Sequence, residues 1–284
     1  MENVLEVHGL SKSFKGHKVV KDIDLTIYQD CITGFIGMNG AGKTTTIKCI
    51  LGLLKPDAGE IKAFGKSMKQ HEKEIKNRIG IVFDNGYLYN DLSLMDMKRI
   101  IAPAYSSWDN RLFKDNMDRF SLDGKKKVKE LSKGMRMKFA LVLALSHHAD
   151  LLIMDEPTSG LDPMIRKQLL EIMREFVSEE GKSVFFSTHI TTDLDKVADQ
   201  IIMIHQGKIL FDENKENLID NHALVKGDKV WLNSQNREWF MNLEEKGFHF
   251  EGLTGERENV RKSMPGAVFE RPTIEDVMVA YIER

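Results

Sequence analysis

The chain has 284 residues, a formal net charge of −2 at pH 7, 42% hydrophobic residues and 30% charged residues. This length suits about two domains or one large α/β domain, and it allows a core without disulfide or metal support. The balanced charge argues against a broadly basic nucleic-acid-binding surface. The chain start lacks a signal-peptide pattern, and the apolar runs are shorter than the ~20 residues of a transmembrane helix, so we expect no segment to cross a membrane.

The first part of the chain has the pattern of an α/β protein. Alternating apolar residues predict strands at 4–7 and 19–27, and short apolar runs predict buried strands at 31–36 and 79–83. Helical spacing predicts a helix over 44–54. The cysteines, Cys31 and Cys49, lie among apolar residues without a CxxC pattern, which predicts buried reduced thiols.

A glycine-rich loop follows the strand predicted at 31–36. Residues 37–44, GMNGAGKT, match the Walker A pattern GxxxxGK[ST], in which backbone N–H groups and a helix N-terminus hold phosphates. Lys43 is expected to reach the β- and γ-phosphates, and the Thr44 hydroxyl to help bind Mg²⁺. An ordinary Gly-rich turn with a surface lysine is the alternative, which the strand–loop–helix context disfavours. The loop residues predicted to surround the nucleotide phosphates are Asn39, Gly40, Ala41 and Gly42.

The segment 84–148 changes to helical periodicity. Apolar residues recur at helical spacing over 92–101, 112–120 and 135–145, which predicts a mostly helical insertion. Residues 109–138 contain ten Lys or Arg and five Asp or Glu. This basic excess is typical of a solvated helical face, and the alternative is a face turned toward phosphate or anionic lipid.

The α/β pattern resumes at residue 151. Strands are predicted at 151–154, 183–187, 201–204 and 209–211, and a helix at 164–177. Alternating strands and helices predict a parallel sheet covered on both faces. Beyond residue 215 the pattern is weak, with a possible strand at 230–232 and a possible helix at 237–246, and this tail is interpreted as an appended subdomain.

Two carboxylates and a histidine follow predicted strands. Asp155 and Glu156 end the strand at 151–154, and His189 follows the strand at 183–187. Ligands of open α/β sheets bind at the carboxyl ends of strands, so we expect these residues near the phosphates. Asp155 would bind Mg²⁺ through water, Glu156 would polarise the attacking water, and His189 would contact the γ-phosphate or hold that water. Taken alone, each residue would be an ordinary turn or structural residue.

The order of these motifs resembles the nucleotide-binding subunits of ABC transporters over about residues 2–212. Residues 37–45 resemble the phosphate loop, and LSKGM at 131–135 resembles the signature, usually LSGGQ. Residues 155–163 resemble the carboxylate pair with the dimer-contacting loop, and His189 resembles the switch histidine. The resemblance implies that Phe14 stacks on adenine and that Thr45 joins the phosphate loop. It also implies that Ser132 and Gly134 meet the γ-phosphate bound to a second copy.

Two features depart from the usual family pattern. The signature has Lys133 and Met135 in place of Gly and Gln, which resembles a bacterial branch with the bacitracin and lantibiotic exporters. Asp84 stands where the family usually has a Gln that reaches Mg²⁺ and senses the membrane partner. A carboxylate is a suitable Mg²⁺ ligand, but its charge near the γ-phosphate is expected to alter turnover. The segment 271–277, RPTIEDV, also resembles this branch, and we expect it to pack on the tail subdomain.

The resemblance implies an α/β fold with a P-loop NTPase parallel sheet, an antiparallel β subdomain, a helical insertion and a small C-terminal α/β extension. The implied ATP-binding domain covers 1–212, with its helical subdomain at about 84–148, and the accessory subdomain covers 213–284. The implied ligands are ATP and Mg²⁺. Two copies, identical or paralogous, would pair head to tail, with each ATP between one phosphate loop and the other signature.

The implied function is an ATP-hydrolysing subunit that powers a separately encoded membrane permease, in the direction of export. The chain would lie in the cytoplasm on the inner face of the cell membrane, held by a permease docked near 84–97. No nucleic acid is expected as a partner. The alternatives are a non-transport ABC ATPase acting on the ribosome or DNA, and a small-molecule kinase. Translation factors of this type usually carry two units in one chain, and a kinase has no need of the signature.

Overall fold

The computed structural model describes residues 2–83 and 87–283. Its strands are β1 (Asn3–Phe14), β2 (His17–Tyr28), β3 (Ile32–Ile36), β4 (Ala58–Ala63), β5 (Lys66–Ser67), β6 (Ile79–Phe83), β7 (Leu151–Asp155), β8 (Ser183–Thr188), β9 (Gln200–His205), β10 (Lys208–Asn214), β11 (Ala223–Asp228), β12 (Phe240–Lys246), β13 (His249–Thr254) and β14 (Val268–Glu270). Its α-helices are α1 (Lys43–Ile50), α2 (Met68–Asn77), α3 (Leu94–Ile101), α4 (Asn110–Arg119), α5 (Lys133–Leu145), α6 (Pro163–Val177), α7 (Thr191–Val197), α8 (Lys215–Asp220), α9 (Arg257–Ser263) and α10 (Ile274–Glu283).

The central sheet has the strand order β10-β9-β3-β8-β7-β6. Strands β9, β3, β8, β7 and β6 are parallel, and β10 pairs antiparallel with β9 at one edge. Every residue of β3, β7 and β8 is buried, because helices and a second sheet cover the two faces. The predicted parallel sheet is therefore confirmed.

The parallel register brings the ends of three strands together. Ile36 pairs with Thr188 across β3 and β8, and Asp155 pairs with Ser187 across β7 and β8. The loops that leave these strands therefore begin side by side at one edge of the sheet. This edge carries the predicted functional residues.

An antiparallel sheet with the order β2-β1-β4-β5 packs beside the central sheet. Its apolar residues share one cluster with Phe35, Ile47 and Phe185 of the central domain. The helix predicted at 44–54 forms but ends at Ile50. Gly52, at φ 66°, takes the left-handed conformation that commonly ends a helix, and its amide donates to the Cys49 carbonyl at 3.0 Å.

The helical insertion contains α3, α4 and α5, as the three periodic runs predicted. Their apolar faces meet in a separate cluster that includes Leu94, Phe113 and Phe139. Side chains cap all three helices, since Ser93, Asp109 and Ser132 accept hydrogen bonds from backbone amides of their own first turns. Residues 84–86, at the start of the predicted insertion, lie outside the described residues.

The tail contains a third sheet, which is antiparallel and has the order β12-β13-β11-β14. The helix predicted at 237–246 is wrong: the segment forms a 3₁₀ turn at Asn236–Trp239 and then β12. Trp239, Phe240 and Leu243 do have helical spacing. Pairing with β13 and an edge-to-face contact between Phe240 and Phe250, with centroids 5.5 Å apart, override this local pattern.

The strand predicted at 230–232 is also wrong. Lys229–Trp231 forms a 3₁₀ turn, in which the Asp228 carboxylate accepts from the Val230 amide at 3.0 Å. Val230 is 80% exposed, so its side chain has no sheet face to cover. A short Val-Trp-Leu run therefore adopts the conformation that its capping aspartate favours.

The terminal helix α10 packs on the central domain as well as on the tail. Ile274, Val277 and Ala280 are completely buried in the same cluster as Leu194 of α7 and Met203 of β9. The segment 271–277, expected to pack on the tail subdomain, thus also contacts α7 and the central sheet.

The two cysteines are both unpaired thiols, as predicted, but only Cys49 is fully buried, whereas Cys31 is half-buried. Burial raises the pKa of both thiols, that of Cys49 to about 11, so neither is a thiolate at neutral pH. Within 2–83 and 87–283, the helices are all too short or too polar to cross a bilayer.

Candidate functional site

The loop between β3 and α1 has a backbone that only glycine suits at two positions. Gly40 and Gly42 have φ values of 80° and 116°. A Cβ on Gly42 would lie 3.1 Å from the Val19 carbonyl oxygen of β2, so the loop packs against the antiparallel sheet. Asn39 and Gly40 are exposed, whereas Ala41 and Gly42 are buried. The loop therefore presents its backbone at the surface, directly before the N-terminus of α1.

Lys43, the first residue of α1, is only 5% exposed. Its ammonium group donates to the Gly37 carbonyl at 2.6 Å and to the Met38 carbonyl at 3.3 Å, so the side chain folds back along its own loop. The same nitrogen lies 3.1 Å from Oε1 of Glu156. The positively charged ammonium group of Lys43 therefore lies inside the loop.

Asp155 joins the phosphate loop to the central strands. Its Oδ1 accepts from the Thr44 hydroxyl at 3.1 Å and from the Ser187 hydroxyl at 2.6 Å. A carboxylate and a hydroxyl oxygen are hard ligands of the kind that Mg²⁺ prefers. The pair Thr44 and Asp155 therefore fits a magnesium ion at the phosphate end of the site. Thr45, the next loop residue, is half-buried in the first turn of α1.

Glu156 and His189 form a direct pair. Oε2 of Glu156 lies 2.7 Å from Nδ1 of His189, and Oε1 faces Lys43. Because an ionised carboxylate only accepts hydrogen bonds, Nδ1 of His189 carries the proton that it donates. The other ring nitrogen, Nε2, is then directed away from Glu156 and is available to a substrate.

The backbone at Glu156 is strained. Its φ is 50°, a left-handed conformation that costs a non-glycine residue about 1–2 kcal/mol. The Glu156 amide donates to the Ser187 hydroxyl at 3.0 Å, which holds the turn in place. Sequence analysis did not select Ser187. The feature that could have identified Ser187 is its position: it is a polar residue near the end of an otherwise apolar strand, and it pairs with Asp155, the last residue of β7.

Phe14 lies at the end of β1, where the chain turns into β2. It pairs with His17, two residues before the Val19 carbonyl that adjoins the phosphate loop. Its side chain is 43% exposed, which is unusual for a phenylalanine in a sheet. The ring is thus partly exposed near the loop, with the Lys12 ammonium 5.4 Å from its centroid.

Ser132 and Gly134 lie in a second group, at the N-terminus of α5. The Ser132 hydroxyl accepts from the Met135 amide at 3.2 Å. Gly134 is buried against α6, since a Cβ there would lie 3.2 Å from Ile165. Lys133 lies over the loop that follows Glu156, its ammonium 3.1 Å from where a Cβ on Gly160 would be. Within one chain, Ser132 therefore caps α5 and Gly134 packs α5 against α6. Asp84, the remaining predicted metal ligand, lies outside the described residues.

A buried ionic network connects the loops that follow Glu156 and His189, and sequence analysis missed it. Asp193 is completely buried; its carboxylate accepts from the Thr158 hydroxyl at 2.7 Å and from Nε of Arg166 at 2.6 Å. Arg166 also donates to the Thr192 hydroxyl at 2.7 Å. Local sequence spacing does not predict this network, because its members come from three separate segments of the chain.

The comparisons with known proteins agree with this geometry. A family model described as ABC transporter matches residues 20–159. The chain is 34% identical over 212 residues to the bacitracin transport ATP-binding protein BcrA of Bacillus licheniformis, covering 74% of this chain and 69% of that protein. It is 34% identical over 214 residues to the ABC transporter ATP-binding protein NatA of Bacillus subtilis, covering 72% and 85%. A solved ATP binding subunit of an ABC transporter superposes with a TM-score of 0.70 at 28% identity, covering 76% of this chain and 92% of that one.

Proposed function

Because this chain belongs to the ABC transporter family and is one of its ATPases, we propose that it powers a separately encoded membrane permease, in the direction of export. The observation that carries the hydrolytic part is the group of Lys43, Asp155, Glu156 and His189 at the ends of three adjacent strands. The direction of export rests on the resemblance of the signature at 131–135 to the branch with the bacitracin and lantibiotic exporters. A bacitracin transport ATP-binding protein is among the similar proteins. The chain would lie on the inner face of the cell membrane, held there by the permease.

Binding of ATP uses groups that the loop already orients. The backbone amides at residues 39–43 and the N-terminus of α1 would surround the β-phosphate, and the Lys43 ammonium would lie between the β- and γ-phosphates. Phe14 would stack on the adenine ring. Thr44 and Asp155 would hold Mg²⁺, which neutralises charge on the β- and γ-phosphates when it is bound.

Hydrolysis is assigned to Glu156 and His189. Glu156 takes a proton from the attacking water while the water oxygen bonds to the γ-phosphorus and the bond to the β–γ bridging oxygen breaks. The products are ADP and inorganic phosphate. His189 keeps the Glu156 carboxylate oriented through Nδ1, and its Nε2 would face a γ-phosphate oxygen. The Asp155 bond to Ser187 and the Glu156 amide bond to the same hydroxyl hold both acids in place.

A second copy would complete each site. Ser132 and Gly134 begin a 13-residue helix, and its N-terminus favours anions. In a head-to-tail dimer this end of α5 would face the γ-phosphate bound to the other copy. ATP would then close the dimer because it binds the closed state more tightly than the open one. The helical insertion would transmit closure to the permease.

Isolation of the complex from membranes tests this proposal. We expect a tagged copy of the chain, solubilised in mild detergent, to retain a multi-span membrane protein. Recovery of ribosomes or DNA in place of a membrane protein would contradict the transport role and favour the alternative ABC ATPase.

Asp84 gives a separate prediction for turnover. Glutamine is neutral and one carbon longer, so Asp84→Gln would remove the negative charge that the family resemblance implies near the γ-phosphate, and it would keep an oxygen ligand for Mg²⁺. We expect unchanged ATP affinity and a changed hydrolysis rate, measured by phosphate release with and without the permease. An unchanged rate in both conditions would contradict any role of Asp84 at the site.

A further inference from the structure

Helix α7 begins two residues after His189 and touches three other parts of the molecule. The helix runs from Thr191 to Val197, and four of its seven residues are buried: Thr191, Asp193, Leu194 and Val197. The arrangement of these contacts connects the tail subdomain to the hydrolytic pair. Leu194, near the middle of the helix, takes part in two of these contacts.

The first contact of α7 is with the Glu156 loop. The buried carboxylate of Asp193 holds the Thr158 hydroxyl, two residues after Glu156, and the guanidinium of Arg166. Thr158 lies two residues after Glu156, and Asp193, which bonds to Thr158, lies four residues after His189. The distance between the two catalytic candidates therefore depends on where α7 lies.

The second contact of α7 is with the strand that enters the phosphate loop. A Cβ on Gly34 would lie 2.0 Å from Cδ2 of Leu194, so the close packing of α7 on β3 depends on the missing side chain of Gly34. Just after α7, the Asp199 carboxylate accepts from the Ile32 amide at 2.8 Å, and the Asp199 amide donates to the Ile32 carbonyl at 2.8 Å. Helix α7 is thus fixed to β3 at both its middle and its end.

The third contact of α7 is with α10, at the end of the tail. Ile274 and Val277 of α10 are buried with Leu194 and Val197 in one cluster. At the border of this packing, the Thr191 hydroxyl donates to Glu275 at 3.4 Å. Burial raises the pKa of Asp195 in α7, and the nearby backbone of Ile274, at the start of α10, opposes this shift. A local cap fixes the start of α10, where the Asp276 carboxylate accepts from the Thr273 amide and hydroxyl, both at 2.7 Å.

We propose that α10 is a positioning element for hydrolysis. It holds α7, and through α7 it holds His189 against Glu156, so that the tail subdomain sets the rate of ATP hydrolysis. Asp195 and Glu275 are the positioning residues at this contact. The inference rests on the hydrolytic roles proposed for Glu156 and His189, and it assigns a function to the segment 271–277.

Single substitutions at the contact test this inference in the full-length chain. Asp195→Ala and Glu275→Ala remove the polar side chains that α7 and α10 bring to this contact, whereas Asp195→Asn keeps a side-chain oxygen at the same position. Arg271→Ala is the matched control, because Arg271 belongs to the same segment but pairs with Glu216 at 2.6 Å on the exposed surface. Thermal unfolding identifies the variants that keep the fold.

We expect both alanine variants to lower kcat about three- to tenfold with little change in KM for ATP, because small displacements of catalytic groups slow chemistry more than binding. Asp195→Asn should keep most of the parental kcat, and Arg271→Ala should match the parent. An unchanged kcat in the alanine variants, or an equal loss in Arg271→Ala, would overturn the inference. If Asp195→Ala does not fold, Glu275→Ala decides by the same criteria.

A second measurement does not depend on hydrolysis. The ring-proton resonances of His189, assigned with a His189→Gln variant, should shift in Asp195→Ala and Glu275→Ala and stay in place in Arg271→Ala. Absence of any shift in the alanine variants would show that α10 does not position His189. A parent chain that hydrolyses no ATP would contradict the proposed function instead, and the His189 resonances would still test the contact.

Discussion

Glu156→Gln is expected to lower ATP hydrolysis by about 10²–10³-fold while ATP affinity changes little. Glutamine keeps the size of the side chain and an oxygen that accepts from Nδ1 of His189, 2.7 Å away in the parent. It loses the capacity to take a proton from water. Because the contact between Glu156 and Lys43 also loses its charge, the ammonium remains fully available to phosphate.

The measurement is phosphate release together with sedimentation in the presence and absence of ATP. Glu156→Gln should form a stable dimer with ATP, since a bound triphosphate that is not hydrolysed keeps the closed state. Glu180→Gln, at an exposed position, is the matched control and should behave as the parent. A Glu156→Gln chain that hydrolyses ATP at the parental rate would remove the proposed role, and a monomer under every nucleotide condition would contradict the shared site.

Lys43→Ala should act at the preceding step and abolish tight ATP binding. We expect a loss of affinity of about 100-fold or more, because a buried ammonium contributes charge-assisted hydrogen bonds to the phosphates that no neutral side chain replaces. In the structure the ammonium is already positioned by the Gly37 and Met38 carbonyls. Arginine at this position is not equivalent, since its planar group is larger and does not act as a compact charge.

Titration calorimetry with a slowly hydrolysed ATP analogue measures this effect. Lys48→Ala, on the same helix but in its last turn, is the control and should keep the parental affinity. Thermal unfolding of Lys43→Ala is needed alongside, because the substitution leaves two carbonyls and Glu156 without their partner. A retained affinity within about fivefold of the parent would show that Lys43 does not contact the phosphates.

The geometry of the glycine-rich loop was predictable because it depends on local spacing. A buried strand, two glycines in left-handed conformations and Lys43 at the start of α1 are all encoded within about a dozen consecutive residues. The meeting of Glu156 with His189 was predictable only in part. Strand ends share one edge in any parallel sheet, but the adjacency of β7 and β8, on which the 2.7 Å contact depends, comes from the strand order.

Long-range contacts account for what sequence analysis missed. In the sequence, Asp193 looks like an ordinary acidic residue in the first turn of a helix. Only the folded chain brings Thr158 and Arg166 into contact with it. Long-range contacts also explain why the helix predicted at 237–246 does not form. Phe240 and Leu243 have helical spacing, yet pairing with β13 places them on a sheet, where strand formation depends on neighbouring strands more than on intrinsic preference.

At Glu156, the residue type that best fits the left-handed backbone differs from the residue type that the proposed chemistry needs. Glycine or asparagine would adopt a φ of 50° more easily, so each would favour the folded chain by removing strain. Neither could accept a proton from water. The side chain best suited to the backbone at 156 would therefore give a more stable but inactive protein, and screening variants of this chain for stability alone would select against its activity.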